Sequence, residues 1–191
     1  DFGPTTIGEL LDYIRANKEN VTYAHAGVGS ASHLCGMLLM DALDTPLTTV
    51  PYKGTGPAMT DLMGGQLPML FSSLGPVVGA AKGGKVRPIA VTSLARSAAF
   101  PDVPTMDEVG LKGFDSTAWY GLLGPAGLPP EVVAKWTAVL AKAGADKATV
   151  DAINATGCDT EVLSPARTLE RIRVDHAKWG KVVKDANIRA E

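Results

Sequence analysis

The chain has 191 residues, of which 46% are hydrophobic and 20% are charged, so it can bury a sizeable core and form one large or two small globular units. Its 18 Lys and Arg residues against 20 Asp and Glu residues leave a formal net charge of -2, which provides no basic field that would hold nucleic acid. The sequence also has no apolar run of the roughly 18 to 20 residues that a membrane-spanning helix needs.

The two cysteines, Cys35 and Cys158, each lack a second Cys or a His at the spacing of a metal site. We therefore expect neither a metal nor another cofactor. Free cysteines are usually buried, so two buried or partly buried thiols are expected, with a disulfide between them as the alternative.

Strand and helix patterns alternate from the N-terminus. A capping box at Thr6 to Glu9 predicts a first helix that ends near Asn17. A short strand is expected from Val21 to Ala24. The glycine loop 27–30 then leads into a second helix, whose apolar positions are Leu34, Leu38 and Ala42.

The order of strand, loop and helix then repeats. Leu47 to Val50 has a strand pattern, Pro57 suits the first turn of a third helix, and Gly64-Gly65 ends that helix. Two further candidate strands are the apolar run 67–71 and Pro88 to Thr92. Strands that alternate with helices predict an α/β fold with a largely parallel sheet.

The second half of the chain begins with a connecting segment, because prolines and glycines interrupt any long element at 100–113. Ser116 to Leu123 has the pattern of a long strand. Pro130 opens a helix, and Ser164 caps a last one. This last helix carries a stripe that must face a partner: Leu169, Ile172, His176, Trp179 and Val183.

The segment 23–34 is the most informative, because it places glycines and hydroxyls where a strand turns into a helix. A helix N-terminus has unpaired N–H groups and a partial positive charge, so it can hold a carboxylate or phosphate without a cationic side chain. Ser30 and Ser32 can add hydroxyl donors or simply cap the helix. An anion site and an ordinary capped turn both fit this loop, which lacks the complete spacing of dinucleotide-binding and P-loop motifs.

Two further polar loops follow strands. Residues 51–57 again join a strand to a helix, and Lys53 there is either a counter-charge for an anion or a solvated lysine. Ser72 and Ser73 follow the apolar run 67–71. Because strand C-termini line the ligand crevice of open α/β sheets, the three loops can converge on one site.

A small-molecule hydrolase is the enzymatic alternative. Its nucleophile, base and orienting acid would come from Ser30 or Ser32, His33 or His25, and Asp41 or Asp61. The sequence lacks the Gly-x-Ser-x-Gly elbow of such enzymes, and neighbours in sequence rarely have the geometry that an activated serine needs.

Many ordered stretches are shared with one known family: Tyr23 to Leu34, Val50 to Ala58, Asp61-Leu62, Gly64 to Gln66, Ala90 to Ser93, Arg96-Ser97, Phe100 to Thr105, Trp119 to Leu122, Pro125 to Gly127 and Lys178 to Val183. Across nearly its whole length the chain resembles the tripartite tricarboxylate transporter receptors, also called the Bug family of periplasmic solute-binding proteins.

This resemblance implies a Venus flytrap fold of the type II periplasmic binding proteins, in which two α/β lobes with mixed sheets close on a carboxylate. Residues 1–117 would form the ligand-binding lobe, and 118–191 would complete the other lobe. We then expect a periplasmic receptor without catalytic activity, which delivers its ligand to integral membrane transporter subunits. A ligand-sensing regulatory domain is a further alternative.

The expected contacts line both sides of the cleft. One carboxylate would be held by Ala26, Gly27, Val28, Gly29, Ser30, Ser32, His33, Lys53, Gly54 and Thr55. The far side of the pocket would be shaped by Ser72, Ser73, Trp119 and Tyr120.

Three departures from the family pattern carry expectations of their own. The chain has no counterpart to the family's N-terminal part, so the apolar stripe of 118–191 is expected to be covered by that missing lobe or by another chain. His25 stands where family members often carry Ser. Ser72 stands where many carry Asp, which favours a ligand that bears carboxylates and no amine.

Overall fold

The computed structural model describes residues 2–189. Within that range the chain forms seven α-helices, two strands and a 3-10 helix at Lys18–Asn20. The elements in chain order are α1 Ile7–Asn17, β1 Thr22–His25, α2 Ala31–Leu43, β2 Thr48–Pro51, α3 Thr55–Met63, α4 Leu74–Lys82, α5 Pro130–Ala145, α6 Lys147–Ala155 and α7 Pro165–Asp185. The predicted α/β class is confirmed.

The strands β1 and β2 are parallel, with Thr22 opposite Thr48 and His25 opposite Pro51. On the other side of β1, Ala24 N donates to Met69 O at 2.9 Å and Phe71 N donates to Ala24 O at 3.2 Å. The chain at 69–71 therefore lies beside β1 as a third parallel segment. All three segments end at the same edge of the sheet, which brings the loops that follow them together.

Local sequence signals explain where the first helices begin. Glu9 N donates to Thr6 Oγ1 at 3.3 Å, and Thr6 N donates to Glu9 Oε2 at 3.2 Å, so the predicted capping box of α1 is confirmed. Ser30 caps α2, and the predicted helices at Pro57, Pro130 and Ser164 also form.

Several predicted strands differ from the observed structure. The apolar run 67–71 and the segment from Pro88 to Thr92 make only isolated bridges, at Leu70 and Val91. The long strand expected from Ser116 to Leu123 is wrong, because that run has no regular secondary structure. Within residues 2–189, its only backbone bond to another segment's backbone runs from Ser116 N to Thr92 O, and a strand needs a paired ladder.

The hydrophobic core belongs to the first part of the chain. It packs α1, β1 and α2 against the segments around Met106 and Phe114, and Cys35 lies inside it as a free thiol whose pKa burial raises to about 11. Cys158 is also a free thiol and is partly buried. Among residues 2–189, none after Phe114 is buried.

The C-terminal helices expose much apolar surface. Large side chains exposed between 118 and 189 include Leu123, Trp136, Val139, Leu140, Leu169 and Val174. Such an exposed apolar surface is typical of an interface with another protein segment.

None of the helices between residues 2 and 189 has the length and apolar character that a bilayer crossing needs.

Gly36 allows α2 to pack closely on β1. A Cβ atom at this position would lie 2.2 Å from Cζ of Tyr23, whose side chain is 0% exposed and cannot move into solvent. We expect Gly36→Ala to lower the free energy of unfolding by roughly 1 to 3 kcal/mol, as overpacked cores do. Urea denaturation measures this change.

Gly79→Ala is the matched control, because Gly79 lies inside α4 with nothing within 4 Å of an added Cβ atom. This substitution should raise the free energy of unfolding by about 0.5 to 1 kcal/mol through helix propensity. Equal effects of the two substitutions would show that Tyr23 does not pack against Gly36 as described.

Candidate functional site

The loop between β1 and α2 turns the chain from strand to helix in five residues. Gly27 and Gly29 have φ angles of 128° and 74°, in the left-handed region that favours glycine. Ser30 is the N-cap of α2, and its Oγ accepts a hydrogen bond from His33 N at 3.2 Å. The loop thus ends at a well-capped helix N-terminus.

The serine hydroxyls of this loop are engaged within the protein. Ser32 Oγ accepts a hydrogen bond from Ala26 N at 3.0 Å and lies 3.0 Å from Ser30 Oγ. Ser30 N donates to Gly27 O at 3.1 Å. The hydroxyls therefore form hydrogen bonds that stabilise the loop. Both residues also line the cavity in front of it.

Two amides of the first turn of α2 remain available. Among residues 2–189, the backbone N–H groups of Ala31 and Ser32 have no protein acceptor. Both residues line a cavity of about 1700 Å³. Unpaired amides and the partial positive charge of a helix N-terminus together make this point suitable for an anion.

The other two strand ends open on the same cavity. Thr55 begins α3 after Gly54, whose N–H donates to Ala26 O at 3.1 Å and so links the first two loops. Ser72 and Ser73 precede α4, and Ser72 Oγ donates to Ser73 O at 2.9 Å. Thr55 and both serines line the cavity, so the N-termini of three helices lie around one space.

Trp119 and Tyr120 line the same cavity. Trp119 Nε1 donates to Asp175 Oδ2 at 2.6 Å, and the Arg171 guanidinium lies 5.9 Å from the indole centroid. The indole N–H is therefore already used, and Trp119 can offer a ligand only its ring. Tyr120 is 83% exposed.

Basic and acidic side chains are distributed unevenly around the cavity. Lys85 and Arg87 both line the cavity, and neither forms an ion pair within residues 2–189. Among the lining residues between 2 and 117 there is no Asp or Glu. The acidic lining residues lie in the C-terminal segment, where Glu161 is paired with Arg171 at 3.1 Å. The wall formed by 2–117 therefore favours an anion.

The structure divides the predicted contact residues into two groups. Those that line the cavity are Ala26, Ser30, Ser32, Thr55, Ser72, Ser73, Trp119 and Tyr120. Those that lie behind or beside it are Gly27, Val28, Gly29, His33, Lys53 and Gly54. Sequence reasoning missed Ala31, since its side chain has no polar group, but the first position after a serine N-cap is the signal that identifies its free amide.

His33 lies behind the loop. Its side chain is buried, and its Nδ1 accepts a hydrogen bond from Gly29 N at 3.2 Å. Its ring centroid lies 4.3 Å from that of His25, which is fully buried. Burial lowers the pKa of both imidazoles, and the neighbouring His25 lowers the pKa of His33 further.

These lowered pKa values predict that acid destabilises the fold. The unfolded chain takes up protons once the pH falls below the ordinary histidine pKa of about 6.5, whereas the folded imidazoles resist protonation. The contribution of the two neutral histidines to the free energy of unfolding should be fully present above that pH. It should decrease as the pH falls further, until the pH reaches the lower pKa values of the folded protein. Thermal denaturation between pH 7.5 and pH 5 measures the slope, and the double substitution His25→Asn and His33→Asn should flatten it.

The hydrolase alternative lacks its proton relay. Within residues 2–189, no imidazole nitrogen bonds to the hydroxyl of Ser30 or Ser32, and His33 Nδ1 is occupied by Gly29. Asp61 accepts from the Tyr52 hydroxyl at 2.6 Å rather than from a histidine. This geometry gives neither serine an activating base.

Comparisons with known proteins identify the family. Residues 1–188 match the family described as tripartite tricarboxylate transporter family receptor. A protein from the TAR-I ttuE-ttuC' intergenic region of Agrobacterium vitis is 36% identical over 189 residues, which cover 97% of this chain and 55% of that relative.

Two solved structures are similar over nearly the whole chain. An R. palustris protein solved with adipate has a TM-score of 0.87 and 26% identity, covering 98% of this chain and 63% of the other. The periplasmic binding protein BugD has a TM-score of 0.77 and 37% identity, covering 100% of this chain and 64% of the other. The chain spans about half the length of the curated relative. It belongs to the tripartite tricarboxylate transporter family of receptors.

Proposed function

We propose that residues 1–117 form the ligand-binding lobe of a periplasmic solute-binding protein and that 118–191 complete its other lobe. This protein would capture a small carboxylate and deliver it to an integral membrane transporter. One observation carries the proposal: three helix N-termini open on one cavity, and the amides of Ala31 and Ser32 there have no acceptor within residues 2–189. Such amides stabilise a carboxylate through charge-assisted hydrogen bonds.

The charge of the wall supports the choice of ligand. Lys85 and Arg87 add positive potential, and the lining residues between 2 and 117 include no acidic side chain that would repel a carboxylate or pair with an ammonium group. The adipate in the related R. palustris structure is a carboxylate of the same kind. A ligand with carboxylates and no amine fits this wall best.

Each group of residues then has a role in binding. The Ala31 and Ser32 amides would hold one carboxylate, while Thr55, Ser72 and Ser73 would supply further polar contacts from α3 and α4. Gly27, Val28, Gly29 and Gly54 would shape the loops. Lys53 would act through its charge, because it is exposed and does not line the cavity.

Two lobes would enclose the ligand. We place the division at 117/118, since the buried core ends at Phe114 and the apolar side chains of 118–189 are exposed. The part of the relatives that this chain does not span is the proposed cover for those side chains. Closure of the lobes on the ligand would signal the bound state to the transporter, because a ligand shifts such an equilibrium only by its different affinity for the open and closed forms.

A ligand screen on the receptor that contains this chain tests the proposal. We expect at least one unsubstituted mono-, di- or tricarboxylate to bind in calorimetry and to raise the melting temperature. A ligand at 100 times its Kd stabilises the folded protein by about 2.7 kcal/mol.

Two matched controls belong to the screen. Amides of the same acids lack the negative charge and should not bind, and 2-amino derivatives such as aspartate should bind more weakly than the parent acids. If no carboxylate binds, the proposed function is wrong. If an amino acid binds tightly and the simple dicarboxylates do not, only the choice of an amine-free ligand is wrong.

A further inference from the structure

Two adjacent imidazoles contact the loop that presents the free amides. His25 ends β1 and His33 lies in the first turn of α2, and their ring planes make an angle of 31°. Both side chains are buried, and neither lines the cavity. They therefore act on the cavity through the loop.

Each imidazole contacts one of the two loop glycines with positive φ. His33 Nδ1 accepts from Gly29 N at 3.2 Å. His25 Nδ1 lies 2.9 Å from Gly27 O and 3.2 Å from Gly27 N, so either neutral tautomer of His25 can bond to this residue. Glycine has the greatest backbone freedom of any residue, so side-chain contacts of this kind are needed to select one path for the loop.

The contact of His33 with Gly29 requires a neutral ring. An imidazolium has two donors and no acceptor, so a protonated His33 would lose its bond from Gly29 N. Two cations with centroids 4.3 Å apart would also repel each other. Tyr23 is the other ring beside His25, at 5.8 Å, and it contributes no counter-charge.

We propose that His25 and His33 are positioning residues of the carboxylate site: as a neutral, closely packed pair they hold Gly27 and Gly29, and thereby aim the Ala31 and Ser32 amides into the cavity. This inference rests on the proposed function. It gives His33 an indirect role in binding, in place of the direct ligand contact expected from the sequence.

Two substitutions at one position test this role. His33→Leu removes the acceptor for Gly29 N, whereas His33→Asn keeps a neutral oxygen acceptor near the position of Nδ1. We expect His33→Leu to weaken carboxylate binding about tenfold, which corresponds to the loss of one hydrogen bond, and His33→Asn to restore most of the affinity. If His33 instead contacted the ligand as a cation, both variants would bind equally weakly, and the proposal would be overturned.

The outcomes separate this inference from the proposed function. An unmodified receptor that binds no carboxylate overturns both, whereas unchanged binding by a folded His33→Leu variant overturns the inference alone. Circular dichroism establishes whether each variant folds. If His33→Leu does not fold, nitrogen-15 NMR of the unmodified protein decides: at pH 7.5 we expect His33 to carry its proton on Nε2, and a protonated Nδ1 would contradict the proposal.

Discussion

Ala31→Pro should weaken carboxylate binding at least about tenfold and leave the receptor folded, because it removes one of the two free amides. A hydrogen bond to a charged group contributes about 1.5 to 3 kcal/mol, which corresponds to a loss of roughly 10-fold to 150-fold. Proline at the first helical position breaks no helical hydrogen bond. Ser30 already has the extended φ of -66° and ψ of 159° that the residue before proline requires.

Ala31→Ser is the matched control for this experiment. It changes the side chain at the same cavity wall but keeps the backbone N–H, so its affinity should stay within a few-fold of the unmodified receptor. Calorimetry measures both affinities, and thermal denaturation shows whether α2 remains intact. A proline variant that binds as tightly as the serine variant would show that the Ala31 amide does not contact the ligand.

Trp136→Ala should destabilise a receptor of the relatives' full length by about 3 to 5 kcal/mol, as the loss of a buried tryptophan does. In the 191-residue chain alone the same substitution should have an effect within about 0.5 kcal/mol, because Trp136 is 52% exposed there. The two proteins should differ in this way because the part of the relatives that this chain does not span would cover the apolar face of α5, which is formed by Val133, Trp136 and Leu140. Urea denaturation of both proteins measures it.

Lys135→Ala is the control on the same helix, since Lys135 is exposed and forms no ion pair within residues 2–189. It should change the free energy of unfolding by less than about 0.5 kcal/mol in either protein. If Trp136→Ala has the same small effect in both lengths of the protein, the apolar face of α5 is not the surface that the second lobe covers.

The elements around the site were predictable because local rules determine them. The capping box at Thr6, the serine cap at Ser30 and Pro57 in the first turn of α3 each act within one turn of helix, so spacing alone identifies them. The convergence of three loops followed from the geometry of parallel strands, which the contacts of β1 with β2 and with 69–71 display.

The features that the sequence did not predict depend on tertiary contacts, which a single sequence does not specify. The run from Ser116 to Leu123 has strand residues but no strand beside it within residues 2–189, so its pattern was misleading. The helices α4 and α6 were missed, because Gly and Pro in one and β-branched residues in the other weaken the helical pattern. The direction of the His33 ring depends on Gly29 and on the packed His25, which spacing could not reveal.

An amide NMR titration of the receptor with a carboxylate that binds it tests most directly whether the N-terminus of α2 holds the ligand. We predict that the Ala31 and Ser32 resonances move furthest downfield, because each amide gains a charged acceptor, whereas residues 2–189 supply none in the free protein. Saturation of the receptor with these two resonances unmoved would contradict the carboxylate site proposed here.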